Sequence, residues 1–312
     1  MRSPRPALHS AGSVGADQAY SWSPEPASVA TMLEEPVDLV VNVFERTYRD
    51  VLVPGWFDEI EKQNQYKFDR RVILLNNVED AEDAQARAAV LVSSGELTEC
   101  RVVATELPRA LELLGLRAKD LEPLPHYTDW ALVAVTLQGN DLVVCWDADV
   151  RLEAPLNWIS PSLEIMNRFS RIAVANPCWD VPEARSEASR VHEEFVLGYG
   201  FSDWAFLFRR SVFGNQKYRR VEPSTWRHPL AHVVPTFEQR VDSWMRRERW
   251  LRATYLPAKT VHQGAVGTSY PSATFVQRAR RRLFDLVGPR LSRRFPESPI
   301  FTAYGPDDRP LA

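Results

Sequence analysis

The sequence predicts an α/β fold in which a mostly parallel sheet is flanked by helices, and three observations carry that prediction. Short apolar runs at 37–44, 71–75, 142–146 and 171–177 alternate with segments of helical periodicity, the pattern of right-handed crossover units feeding a parallel sheet. The run ending at Leu75 is continuously apolar, as a strand covered on both faces must be. The run Leu142–Trp146 stops abruptly at Asp147 and Asp149. Unpaired carboxylates are costly inside a core, so both belong where the strand emerges at the carboxyl edge of the sheet, the edge at which open α/β sheets bind ligands.

The 312 residues suit one large α/β domain or two smaller ones. A net charge of −3 gives no global pull toward nucleic acid, and none of the site motifs carries a basic surface, so nucleic acid is not an expected partner. Cys100, Cys145 and Cys178 are odd in number, far apart and set in apolar contexts without C-x-x-C spacing. They read as buried free thiols of a reducing cytoplasm rather than disulfides or zinc ligands. There is no apolar run of about 18 residues that would span a membrane and no apolar signal core at the N-terminus. The expected location is cytoplasmic.

Residues 1–35, rich in Ser, Pro, Ala and Gly, are expected to form a disordered tail. The first strand, Val37 to Phe44, precedes the charged loop Glu45-Arg-Thr-Tyr-Arg49. Pro54, with Trp56, Phe57 and Ile60 at helical spacing, predicts a helix packed on the sheet. At the end of the second strand stand Asn76, Asn77 and Asp80. Their side chains can read the edge of a pyrimidine or cap the helix of 80–92, and for Asp80 capping is the better fit. A third strand at 101–105, a helix at 108–114 closed by Gly115, a surface connection at 116–125 and a helix at 127–138 lead to the Asp147 strand. Beyond it come a helix at 162–169 and a strand at 171–177. The polar stretch 180–192 is short of apolar anchors and is expected to be a mobile loop over bound ligand.

Residues i and i+2 of an extended strand share a face, so Asp147 and Asp149 can approach one hard cation, Mg2+ or Mn2+, together with the oxygens of a diphosphate. With this D-x-D at a strand end, the chain resembles the GT-A type of metal-dependent, nucleotide-sugar glycosyltransferases, family 2-like in kind, over about residues 37 to 270. The resemblance implies a GT-A-like, Rossmann-like domain at 36–274, with a nucleotide-binding half at 36–150 and a smaller acceptor half at 151–274. A donor linked to UDP or GDP would then meet Phe44, Glu45 and Arg46 after the first strand, Asn76 and Asn77 after the second, and Asp147. The implied acceptor is a hydroxyl of a saccharide, a glycolipid or a small natural product.

Three further stretches carry the resemblance. Tyr199 to Phe213 sets Ser202-Asp203-Trp204 before an apolar run and Arg209-Arg210-Ser211, similar to the acceptor-side strand of many such enzymes. Ser202, Asp203 and Trp204 are therefore implied acceptor contacts, with His232 from the stretch that follows. Thr236 is a good N-cap and puts Glu238 in the first turn of a helix whose Val241, Trp244 and Met245 face the core. The resemblance makes Glu238 the first candidate for the base that deprotonates the acceptor and Asp203 the second. An acidic residue in a first turn is also favoured by the helix dipole without catalytic duty, and Asp242, one turn on, reads as structural. The Gly-Gly-x-Glu-Asp type of acceptor motif is absent, replaced by Thr236-Phe-Glu238-Gln. Finally, a short strand from Ala253 ends at His262 before a Gly-rich loop. There the resemblance implies a neutral imidazole that completes the metal shell beside Asp147 and Asp149.

The implied activity is hexosyl transfer from a nucleotide-diphosphate sugar to a hydroxyl; the resemblance leans towards inversion, and the residues leave retention open. Two other readings stand beside it: a sugar-nucleotide nucleotidyltransferase and a non-catalytic GT-A-like sugar-binding protein. The former would carry a Gly-rich, Lys- or Arg-bearing loop after the first strand, where this chain has Glu45-Arg-Thr-Tyr. Residues 275–312 form a basic helix and tail in which Arg278, Arg280, Arg281, Arg282, Arg290, Arg293 and Arg294 interleave with apolar residues. Such a helix can contact the inner face of a membrane through Arg278 to Arg294, pack as a solvated face, or join two copies.

Overall fold

The computed structural model describes residues 35–186, 188–216, 218–228, 230–263 and 274–294. The expected tail up to residue 34, the Gly-rich loop from Gly264 and the chain from Phe295 onward lie outside the described residues. In order come β1 (Val37–Val43), α1 (Tyr48–Val51), α2 (Trp56–Asn64), β2 (Arg70–Leu75), α3 (Ala81–Ser94), β3 (Glu99–Val102), α4 (Val103–Leu114) and α5 (Asp129–Thr136). There follow β4 (Leu142–Asp147), β5 (Val150–Leu152), α6 (Ile159–Arg168), β6 (Ile172–Cys178), α7 (Val181–Ser186), β7 (Ala188–His192), β8 (Phe195–Gly198) and β9 (Ala205–Arg209). The chain closes with α8 (Arg210–Phe213), a 3-10 turn at Pro223–Arg227, α9 (Phe237–Glu248), β10 (Leu251–His262) and α10 (Phe275–Arg294).

The strands form one sheet in the order β3-β2-β1-β4-β9-β6-β10-β8-β7, with β5 paired to β10. β1 to β4 are mutually parallel, and β6 and β10 share their direction because β9 lies antiparallel between β4 and β6. Only β5, β8 and β9 run the other way among the described strands. The sheet is therefore mostly parallel and helix-flanked, as predicted. It is also continuous through both expected halves of the domain.

Alternate side chains of each central strand enter two cores. Leu39, Val41, Leu142, Val144 and Trp146 pack on one face with α2, α3 and α6, while Val40, Val143 and Cys145 pack on the other with α4, α5 and α9. Burial on both faces is what makes these strands read as apolar runs. All three cysteines are free; Cys145 and Cys178 are buried as expected and Cys100 is half-buried, and burial pushes its thiol up to about 11, so it stays protonated.

Three local expectations are corrected. The third strand is Glu99–Val102 rather than 101–105, and the following helix begins at Val103 rather than Pro108. The register with Val72–Leu75 of β2 fixes that end; a tertiary pairing overrides the local signal of the proline. The stretch 180–192 is not a loop but α7 and the edge strand β7. Asp180 accepts the Glu183 N–H at 2.7 Å and β7 pairs with β8, a neighbour that local polarity does not reveal. The strand ending at His262 is long, beginning at Leu251.

Candidate active site

β4 ends at Asp147, and the chain turns at once into β5. The turn is stapled from inside: the Trp146 indole Nε1 donates to the Val150 carbonyl at 3.0 Å, and Arg151 donates to the Ala148 and Val150 carbonyls at 2.9 and 2.7 Å. β5 pairs antiparallel with the end of β10, Val150 opposite His262, and the Gln263 N–H donates to the Asp149 carbonyl at 2.7 Å. A residue more than a hundred positions away thus arrives beside the D-x-D because one three-residue ladder holds it there. Ligand atoms of Asp147, Asp149 and His262 all lie within 4.8 Å of one another.

This donor set fits a divalent cation. Two carboxylates suit either Mn2+ or Mg2+, and the imidazole nitrogen favours Mn2+ of the two. Asp149 Oδ1 is buried without a hydrogen-bond partner, although His262 Nε2 stands 3.1 Å from it. Burial, and then the charge of Asp149, push the Asp147 carboxyl up to about 8, a like-charge cost that a cation between them would remove. Trp204 packs its ring against His262, centroids 5.2 Å apart, and its carbonyl accepts the Asp147 N–H at 2.8 Å.

A second cluster begins beside the first. Gly200, at φ 106°, takes a turn closed to side-chain-bearing residues and starts the segment that presents Asp203. Burial, the charge of Glu238 and the charge of Asp147, in that order, push Asp203 well above the usual carboxylate range, and a hydrogen bond joins the Asp203 and Glu238 side chains. Two carboxyl groups in such contact share a proton. Thr236 caps α9 by accepting the Gln239 N–H at 3.4 Å, which sets Glu238 in the first turn.

Behind Glu238 lies His228, buried, with Nδ1 3.7 Å from Glu238 Oε2 and Nε2 3.1 Å from Asp242 Oδ2. Asp242 in turn accepts from Arg246 Nε at 2.7 Å, and both are fully buried. The Arg246 guanidinium lies over the Tyr199 ring, 5.0 Å from its centroid. Carboxylate, imidazole, carboxylate and guanidinium thus form one chain from the site into the core.

The sequence-predicted residues distribute as follows. Asp147, Asp149 and His262 converge, and Asp203 and Glu238 touch. Phe44 and Glu45 are half-buried after β1 and Arg46 is exposed, its guanidinium 5.5 Å from the Phe44 ring centroid. Glu45 accepts from Arg49 and from the Glu79 N–H, tying the loops after β1 and β2 together. Asn76 is buried and donates to Asp129 at 3.0 Å, so of the two asparagines offered for base contact only Asn77 is exposed. Asp80 caps α3, accepting the Asp83 N–H at 3.0 Å. Ser202 is half-buried next to Asp203. His232 is half-buried on a turn whose Leu230 and Val234 pack with Leu124.

Sequence reasoning missed His228 and the part of Asp242 in this chain. The available signal was Glu238 and Asp242 one turn apart on a helix face, which a single imidazole can bridge. It also passed over Asn42, whose Oδ1 is buried without a partner at the position of β1 opposite Asp147. A polar residue inside the run Val-Val-Asn-Val was the signal there.

No protein-family model and no curated protein sequence matches the chain. Among solved structures, it is similar to glucosyl-3-phosphoglycerate synthase from Mycobacterium tuberculosis in complex with Mn2+, UDP and glucosyl-3-phosphoglycerate. The identity is 14%, with 83% of this chain and 80% of that one covered and a TM-score of 0.41. Another structure of that synthase, with Mg2+ and UDP, gives 14% identity, 86% and 80% coverage and a TM-score of 0.39. The mannosyltransferase PcManGT from Pyrobaculum calidifontis, in complex with GDP-Man and Mn2+, gives 13% identity, 90% and 70% coverage and a TM-score of 0.46. It is this chain's own side chains, not these likenesses, that bear on its chemistry.

Proposed function

We propose that the chain is a metal-dependent glycosyltransferase that moves a sugar from a UDP- or GDP-linked donor to a hydroxyl acceptor. The observation that carries this reading is the convergence of Asp147, Asp149 and His262 at the sheet edge, with the Asp203 and Glu238 carboxyl pair beside it. Sugar transfer builds negative charge on the departing diphosphate, and a bound Mn2+ or Mg2+ supplies the charge that stabilises it. Asp147, Asp149 and His262 hold that cation; Phe44, Glu45, Arg46 and Asn77 contact the nucleoside.

The acceptor lies against Ser202, Asp203, Trp204 and His232. Its hydroxyl must lose a proton as it attacks. Glu238, which meets Asp203 on one side and His228 on the other, is the group we assign to take that proton. An inverting outcome is the one that gives Glu238 this task, and the anomer of the product tests it. The acceptor is a saccharide, a glycolipid or a small natural product, and the protein works in the cytoplasm.

The experiment is thermal unfolding with Mn2+, with UDP or GDP, and with both. A ligand that binds only the folded state raises stability by about 2.7 kcal/mol at a hundredfold excess over its Kd. Metal and nucleotide together should raise the midpoint well beyond either alone, and Asp149→Ala should lose that gain with its unliganded midpoint intact. If no nucleoside diphosphate stabilises the wild-type protein in Mn2+, the transferase reading is wrong.

A further inference from the structure

α10 is a 20-residue helix whose described side chains dock on the protein from the Phe284 side. Phe284 is buried and stacks on Trp226 of the 3-10 turn, ring centroids 4.3 Å apart and planes at 12°. Arg280 lies over the outer edge of that pair, 5.1 Å from the Phe284 centroid. A helix held by this contact should turn its polar residues to solvent. Instead, Phe275 and Val276 are 78% and 72% exposed, and Leu283 and Leu286 are each 52% exposed.

The placement of these four is not scattered. At about 100° per residue, Phe275 and Leu286 stand opposite Phe284, with Val276 and Leu283 roughly a quarter-turn away, so they make one outward stripe. Arg278 and Arg282 edge the stripe on one side and Arg280 on the other, all exposed. The helix carries seven arginines and one aspartate in a chain whose net charge is −3, so the positive charge is concentrated here. Asp285, the one acidic residue, sits about 100° round from Leu286 and within 4.0 Å of Arg281. Two copies of this face would set arginines against arginines; a surface of anionic headgroups over apolar chains complements both the charge and the stripe.

We propose that α10 is an interfacial anchor: its Phe284 side is fixed to Trp226, and its outward stripe of Phe275, Val276, Leu283 and Leu286 enters an anionic lipid bilayer while the flanking arginines bind headgroups. The helix lies in the plane of the interface and does not cross it, for no helix among the described residues is long and apolar enough to span. This inference is independent of the transferase reading and needs neither donor nor metal.

The test is co-sedimentation of the full chain with phosphatidylglycerol-containing vesicles and with pure phosphatidylcholine vesicles. The expected result is binding to the former that weakens with added salt, and none to the latter. Each arginine removed should lower partitioning roughly fivefold, so the double variant Arg282→Glu and Arg290→Glu should lower it by at least about 25-fold. Phe275→Ser with Leu286→Ser should lower it at every salt concentration, because it removes insertion and leaves the charge. These residues touch solvent, and the stacking of Phe284 on Trp226, followed by tryptophan fluorescence, reports that the helix is still docked. No binding to anionic vesicles, or binding that ignores the Phe275 and Leu286 changes, overturns the proposal. So does a dimer in light scattering that Leu286→Ser dissolves, which would make a second copy the occupant.

Discussion

The metal-ligand corner and the carboxyl chain beside it are built on opposite principles. Asp147 and Asp149 come from one tight turn, and a single ladder to β10 adds His262; the three ligand atoms converge with an unsatisfied oxygen among them. In the second region His228 and Arg246 both bond Asp242, and Glu238 stands 3.7 Å from the imidazole on its far side. The first corner gathers two like charges and an imidazole, a cost that a cation would offset. The second alternates negative and positive groups along its length, and it ties α9 to the 3-10 turn as well as serving the site. The lesson is that like charges brought together suit a cation, whereas a chain of alternating charges positions the group at its end.

That contrast can be broken by mutation. Asp149→Ala should remove metal-dependent nucleotide binding and lower turnover at least about a thousandfold, the several kcal/mol a bound cation contributes, while circular dichroism stays native. Arg246→Met should do the reverse. It takes from buried Asp242 its guanidinium partner and leaves it only His228, and chemical denaturation should show a loss of about 3–5 kcal/mol, whereas UDP and Mn2+ still stabilise whatever remains folded.

Glu238→Gln separates the two regions at their border. Transfer should fall about a hundred- to ten-thousandfold, but stabilisation by Mn2+ with UDP or GDP should persist, since Glu238 is no metal ligand. Should that stabilisation vanish as well, the two clusters are one. His228→Ala is milder: it removes the link between two carboxylates, and a loss of about 1–3 kcal/mol in stability should accompany a drop in transfer smaller than that of Glu238→Gln.

The smallest effect is a control on the nucleotide side. Burial raises the Asp129 carboxyl to about 6, against the hydrogen bonds from the Trp130 N–H and Asn76 that lower it. Its folded pKa exceeds the ordinary value of 3.8, so the folded state holds a proton that the unfolded state has released. Stability from this group is greatest below pH 3.8 and is lost as pH rises to about 6. Asp129→Asn should flatten the unfolding midpoint across that window and leave metal binding untouched.

Much of the fold was legible because it rests on short-range patterns. Two-sided burial makes apolar runs, so β1, β2, β4 and β6 could be read. Asp80 and Thr236 cap the helices they precede, as their side chains predict. Boundaries set by a distant partner were not legible. β3 takes its end from β2, and 180–192 becomes ordered through β8, a neighbour the local polarity does not announce. In the same way Asn76 was offered for ligand contact on its residue type, while the packing that commits its amide to Asp129 lies 53 positions away.

The D-x-D strand, the thiols and the basic amphipathic helix were determined by the sequence alone, because residue type and spacing along one element decide which face or end each side chain occupies. Tertiary structure decided which of the separated groups meet. His262 joins the aspartates through the pairing of β5 with β10, and Asp203 meets Glu238 while His228 spans Glu238 and Asp242. The physical reason is range: caps, periodicity and pleat act within a few residues, whereas a shared proton or a ligand set depends on distances of a few ångströms between segments that only the closed sheet brings together.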